Sequence, residues 1–459
     1  MSQRFDAIVI GAGQSGPSLA ARFAQAGKTV ALIEREHLGG TCVNDGCIPT
    51  KTLVASARAA HVVRHAAKFG VLHDGSVRVD MKAVKARKDA VVNQSIAGLT
   101  SWLGGLANLT VIRGEARFIG PGRVAVGADE FEAAQIFINV GGRATVPDWP
   151  GIHDVPYLTN TSMMDMDFVP AHLAIVGGSY IGLEFAQMYR RFGSEVTVIE
   201  AAPRLIARED AEVSAEVQAM LEGEGIAVHV GVKDLGMARD GVGVRIGFTL
   251  ADRTQAVTAS HLLLAVGRRP NTENLDLAAA GVDVDARGFI TVDDELRTSA
   301  PGVWALGDVN GRSAFTHTSY NDFEIVAANL LEGGKRRVSD RITTYGLFTD
   351  PPLGRVGMSE AEVRASGKPA LVATLSMARI GRARERGETR GFIKVLVDAS
   401  TQRILGAALL GIEADEVVQL LLLAMAADLP YTRIQQTMWI HPTVTELLPT
   451  LFDGLKPLV

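Results

Sequence analysis

From Phe5 to Ile10 the chain is almost continuously apolar; it breaks at Gly11, runs through a helical stretch, and returns as a second apolar run that closes on Glu34. The segment FDAIVIGAGQSGPSLAARFAQAGKTVALIERE therefore reads as strand, glycine-rich turn, helix and strand, one βαβ unit. The same pattern recurs in HLAIVGGSYIGLEFAQMYRRFGSEVTVIEAA, which closes on Glu200. Gly11 to Glu34 spans 23 positions, Gly177 to Glu200 also spans 23, and the second copy lies 166 residues after the first. Such an internal repeat predicts an α/β chain with two Rossmann-like dinucleotide-binding domains.

Each glycine has a physical task. The first permits the tight turn, the second lets backbone N–H groups approach a pyrophosphate, and the third lets helix pack on strand. Gly11, Gly13 and Gly16 fit fully, whereas the second copy keeps Gly177 and Gly182 and puts Ser179 in the middle. One such turn is weak evidence; two with acidic residues in equal register predict two bound adenine dinucleotides, with Glu34 and Glu200 each accepting from a ribose.

At 459 residues the chain predicts two to four domains, and a net charge of -5 without a long basic run gives no footprint for nucleic acid or an anionic membrane. Val417 to Ala427, the most apolar stretch, is far shorter than the roughly 20 residues a bilayer needs, and reads as a buried helix. The N-terminal apolar run is a strand and not a signal segment, so the expected location is cytoplasmic.

Only two cysteines occur, Cys42 and Cys47, too few for a disulfide scaffold and without companions for a metal site. Composition alone leaves two inert buried thiols open. Residues five apart in a regular helix have Cα atoms roughly 8 to 9 Å apart, too far for a disulfide, so the backbone must bend between them. Gly46 supplies the flexibility, and Asp45 is expected to cap a helix beginning near it. Cys42 then falls in a non-helical lead-in and Cys47 in the first turn, where the helix dipole favours a thiolate. Lys51, four residues later, projects from the same face.

GTCVNDGCIPTK, Gly40 to Lys51, resembles the redox-active disulfide motif of the pyridine nucleotide–disulfide oxidoreductase family, and the similarity extends through INVGGRATVP, LLLAVGRRPN, VWALGDVNG and HPTVTE. The resemblance implies an FAD-binding domain over 1–150 and 271–340, an NAD(P)-binding domain over 151–270, and a C-terminal α+β dimerisation domain over 341–459. It implies that Cys47 faces the flavin and Cys42 meets the acceptor, with Lys51 near the flavin and paired with Glu184. Tyr180 is implied to cover the flavin until nicotinamide displaces it, ordinary packing at a helix start being the alternative. Thr41, Ala116, Asp308, Thr316 and Gly267 are implied contacts of the cofactors. His441, fixed by Glu446, is implied to act as acid and base on the partner subunit's thiol, which requires a homodimer.

Within the family, GDVNGRSAFTHTSYNDFEIV most resembles the stress-linked, mercuric-reductase-like group that includes reactive-chlorine-resistance flavin reductases. The chain ends FDGLKPLV, without the terminal cysteine pair of mercuric reductases. That absence weakens the mercury reading, and the resemblance implies as acceptor a metal ion of the copper or mercury type or an oxidised small molecule, a dihydrolipoyl dehydrogenase and a redox sensor without turnover being the alternatives. Glu200 favours NADH, while Arg204 and Arg208 leave NADPH open through a phosphate clamp. Asp45 opposes thiolate formation by its charge and supports it as a helix cap, with no net sign.

Overall fold

A computed structural model describes residues 2–458. Its first sheet is centred on Gln3–Ile10, flanked on one side by Val30–Glu34 and Leu109–Arg113 and on the other by Asp129–Ile138, all parallel. Arg123–Val126 and Ala116–Gly120 extend it antiparallel, and Val303–Ala305 joins it beside Asp129–Ile138. Ala7, Ile8, Val9 and Ile10 are all buried, as expected for a parallel strand covered on both faces.

The second sheet, ordered Ala227–Val230, Glu195–Glu200, His172–Val176, His261–Leu264, is also parallel. Here the repeat is reproduced pair by pair. Ala7 faces Val30 and Ile10 faces Ile33 in the first sheet; 166 residues on, Leu173 faces Val196 and Val176 faces Ile199 in the second. A three-stranded antiparallel sheet, Lys233–Asp240, Gly243–Leu250 and Arg253–Ala259, packs beside it.

The C-terminal unit is a six-stranded antiparallel sheet built on Leu353–Gly357, Ile404–Leu410, Phe392–Asp398 and Ala370–Ser376, with the helix Ala414–Ala426 packed on it. That helix corrects the expectation of full burial for Val417 to Ala427. It buries Val417, Val418, Leu421 and Ala424 against the sheet but leaves Leu423 69% exposed on its outer side. Among the described residues, no helix is long and apolar enough to cross a membrane.

Candidate active site

The two thiols sit at a joint between helices. Gly40–Asn44 forms one short helix and Cys47–Arg64 the next, with Gly46 between them at φ -128° and ψ -116°. Cys42 is thus helical, not in a non-helical lead-in, and Gly46 rather than Asp45 occupies the N-cap position. The Asp45 carboxylate is drawn away by the Thr161 hydroxyl, and its backbone carbonyl accepts from Asn160 at 3.1 Å. A Cβ on Gly46 would lie 2.7 Å from the Thr41 carbonyl, so the joint closes only over glycine.

Both cysteines are free thiols, and their environments drive their protonation apart. The Cys47 thiol is lowered to about 6, first because Cys42 donates its S–H to it, then through Thr316 and Lys51, while burial and Glu184 oppose. Cys42 is pushed strongly upward by the same hydrogen bond and by burial. The Thr316 hydroxyl, at the start of the helix Thr316–Leu331, stands 3.0 Å from the Cys47 sulfur. Both influences favour the proton on Cys42 and the anion on Cys47. Titration of the reduced protein by thiolate ultraviolet absorbance should show one ionisation with a midpoint near 6, ionised above it and lost below it. Cys42→Ala should move that midpoint upward more than Lys51→Met does, because the Cys42 hydrogen bond is the larger influence; equal shifts would contradict this order.

Lys51 lies 2.7 Å from Glu184, a carboxylate only 6% exposed, and its ammonium sits 4.7 Å above the Phe348 ring. The other Glu184 oxygen accepts from the Phe348 N–H at 3.0 Å. Tyr180 opens the helix Tyr180–Phe192 one turn before Glu184. These side chains share one cavity of about 1610 Å³ with Gly11, Gly13, Glu34, Thr41, Ala116, Asp308 and Thr316. It exceeds the roughly 300 to 1,000 Å³ that suffices for a drug-sized ligand. Burial raises the Asp308 carboxyl, against the pull of Arg268 at 3.4 Å.

The glycine turns show why their residues cannot vary. Gly11 and Gly177 have φ of 100° and 116°, and a Cβ on Gly16 or Gly182 would lie 2.1 or 2.0 Å from the carbonyl oxygen of Gly11 or Gly177. The acidic residues brace these turns. Glu34 accepts from the N–H of Ala12 at 2.7 Å and of Glu36 at 2.8 Å; Glu200 accepts from Gly178 at 2.5 Å and Ala202 at 2.6 Å. Each oxygen keeps a lone pair for a ribose hydroxyl. The first turn, with Gly11 and Gly13 lining the cavity, fits the pyrophosphate of a flavin dinucleotide, and Ala116 and Thr316 line the same space.

Gly177, Gly182, Glu200 and Gly267 do not line this cavity, nor do His441 and Glu446. His441 Nδ1 lies 2.8 Å from Glu446, with the imidazole 80% exposed. Sequence reasoning missed Asn139, which accepts from the Gly16 N–H at 3.0 Å and donates to the Leu306 carbonyl at 2.9 Å, tying the first turn to the strand Val303–Ala305. It also missed Asp322, which accepts from the Gly307 N–H at 2.7 Å. The only signal for Asn139 was its place beside a glycine pair at a strand end.

The sequence model of the pyridine nucleotide-disulphide oxidoreductases matches residues 5–322, and that of their dimerisation domain matches 343–452. The chain is 38% identical to the probable pyridine nucleotide-disulfide oxidoreductase RclA of Escherichia coli, covering 99% of this chain and 100% of that protein. It is 35% identical to a mercuric reductase of Streptomyces lividans, covering 96% and 94%, and 35% identical to a dihydrolipoyl dehydrogenase of Thermus scotoductus, covering 98% and 97%. A solved Cu(II) complex of the HOCl-induced flavoprotein disulfide reductase RclA from Escherichia coli superposes with a TM-score of 0.89 at 37% identity, over 98% of this chain and 99% of that one.

Proposed function

The chain belongs to the pyridine nucleotide-disulphide oxidoreductase family, and from that premise we propose that it is a homodimeric, NADH-dependent reductase delivering electrons through Cys42 and Cys47 to a metal ion or an oxidised small molecule. The observation that carries this reading is the pair of free thiols, with Thr316 3.0 Å from the Cys47 sulfur, in the cavity that also holds the Lys51–Glu184 pair. Gly11, Gly13, Gly16, Glu34, Ala116, Asp308 and Thr316 would hold FAD, which when bound accepts hydride from NADH and relays two electrons to the disulfide. Cys47 keeps its charge beside Lys51 and Thr316, and Cys42 holds the proton toward the acceptor. Tyr180 covers the nicotinamide side. Reduction of the disulfide takes two electrons and one proton, the equivalent of one hydride, and yields the Cys42 thiol and the Cys47 thiolate; reoxidation to the disulfide returns two electrons and that proton, enough for two Cu(II) to Cu(I) or one Hg(II) to Hg(0).

Soft thiolates suit copper and mercury, and the Cu(II) complex of the Escherichia coli relative supports a metal acceptor. NADH is supported by the second turn. Glu200 presents a carboxylate where a 2′-phosphate would sit, and the Arg204 Nη2 is engaged by the carbonyls of Ala207 and Glu209 at 3.0 and 3.1 Å. The continuous need for NADH supports a cytoplasmic site of action. A homodimer with His441 serving the partner's thiols is supported by the exposed His441 imidazole held by Glu446 and by Leu423, 69% exposed on the helix Ala414–Ala426.

The test is anaerobic reduction of the FAD-loaded protein by NADH, then mixing with Cu(II), Hg(II), lipoamide or glutathione disulfide. Copper or mercury should reoxidise it fastest, and NADH should exceed NADPH in kcat/KM by at least about tenfold, equivalent to roughly 1.4 kcal/mol. Fastest turnover with lipoamide would instead assign a dihydrolipoyl dehydrogenase, the activity of a relative 35% identical.

A further inference from the structure

One buried carboxylate has no part in the chemistry above. Glu209 lies in the loop after Glu200, with its side chain 0% exposed. Its Oε1 accepts from two phenols, Tyr345 at 2.7 Å and Tyr180 at 3.2 Å, and its Oε2 lies 3.4 Å from Nη1 of buried Arg355. Arg355 is held in turn by Asp210 at 3.1 Å, and Asp210 faces Lys394 at 3.2 Å. The three aromatic rings interlock: Phe315 and Tyr345 stack with centroids 5.4 Å apart, and Tyr180 meets them edge-on at 6.0 and 5.6 Å.

Tyr180 follows directly on the second glycine turn and lines the cavity beside Glu184. A nicotinamide carried on that turn must displace this ring to approach the Lys51–Glu184 side. The two phenol bonds are unequal, and the longer one is the one that must break. When Tyr180 leaves, Tyr345 and Arg355 still satisfy the carboxylate, so opening does not strand a buried charge, the event that makes loss of a buried partner costly.

We propose that Glu209 is a positioning residue for the Tyr180 ring, a latch that holds it closed through one hydrogen bond and releases it readily because Tyr345 and Arg355 keep the carboxylate paired. This rests on the reading of Tyr180 as the cover of the nicotinamide side. The same bond draws the ring back when the nicotinamide departs.

Calorimetric titration of the oxidised, FAD-loaded homodimer with NAD+ tests the latch, with iodide quenching of flavin fluorescence as a second readout of an open ring. Tyr180→Phe removes only the phenol oxygen; Kd should fall about three- to tenfold as the open state becomes more populated, and iodide quenching should rise. Glu209→Gln should act in the same direction, because its one carbonyl oxygen is taken by Arg355 and the NH2 left facing Tyr180 cannot accept from the phenol, and adding it to Tyr180→Phe should change Kd little further. Tyr345→Phe leaves Oε1 to Tyr180 alone and should raise Kd. Should Glu209→Gln fail to fold, the two tyrosine variants decide, since they leave the Glu209–Arg355 pair in place. Unchanged Kd and quenching in Tyr180→Phe, with tightening in Tyr180→Ala, would overturn the latch and keep the cover. If Tyr180→Ala also leaves both unchanged, the ring is no cover and the underlying reading fails with it.

Discussion

Cys42→Ser should leave NADH able to bleach the flavin absorbance while turnover with thiol-directed acceptors falls by roughly 10³-fold or more, the scale on which loss of a reacting nucleophile is felt. Serine keeps an O–H donor where Cys42 offers its S–H, so the hydrogen bond that most lowers Cys47 is preserved, along with its thiolate. The fold should be unaffected, since the residue is partly exposed in a five-residue helix. What disappears is the second sulfur, without which the pair can neither form a disulfide nor hold a soft metal between two thiolates. Cys42→Ala should lose the same turnover and in addition raise the Cys47 ionisation, so the two variants separate the electron-transfer role of the sulfur from its hydrogen-bonding role. Full activity of Cys42→Ser with copper, mercury and disulfide acceptors alike would mean that electrons leave from the flavin, and the thiol pathway would be abandoned.

The parts of this architecture visible in the sequence are those fixed by spacing. The 166-residue offset carries down to strand register and to the hydrogen bonds that Glu34 and Glu200 make with the N–H groups of Ala12 and Gly178, because a glycine turn of this geometry leaves little freedom to its neighbours. Lys51 and Cys47 share a helix face for the same local reason. Asp45 does not cap the helix because its capping preference competes with a tertiary partner, Thr161, more than a hundred residues away in sequence, which wins the carboxylate. Leu423 departs from the burial expected of Val417 to Ala427 because the apolarity of a stretch does not say which of its side chains a neighbouring element covers. Asn139, Glu209 and Asp322 carry no periodic signal. Each is a single polar residue whose importance comes from the backbone groups or phenols that folding brings to it.

His441→Ala should lower turnover by roughly 10² to 10⁴-fold, the usual contribution of a positioned acid and base. The need for such a group follows from the thiols themselves: Cys42 is pushed upward and holds its proton, so it requires an external base before it can attack an acceptor. Glu446 accepts from Nδ1–H and so leaves Nε2 as the free lone pair, but that nitrogen belongs to a largely exposed ring outside the cavity of its own chain. The two requirements meet only if the imidazole serves the thiols of a second subunit across a two-fold axis. Mixed dimers make the point decisive. In a dimer of one Cys42→Ser chain and one His441→Ala chain, one site carries both defects and the other has intact thiols served by an intact histidine. Random pairing of the two inactive proteins should therefore restore about a quarter of wild-type activity, since half of the dimers are mixed and each has one working site. A histidine acting within its own chain predicts no recovery, because every site would then contain one defect. Dimers purified with two different affinity tags after coexpression should reach about half of wild-type activity on the first reading and none on the second. Glu446→Gln, which preserves shape but removes the charge fixing the tautomer, should behave in these mixtures as a weaker His441→Ala, complementing Cys42→Ser but not His441→Ala.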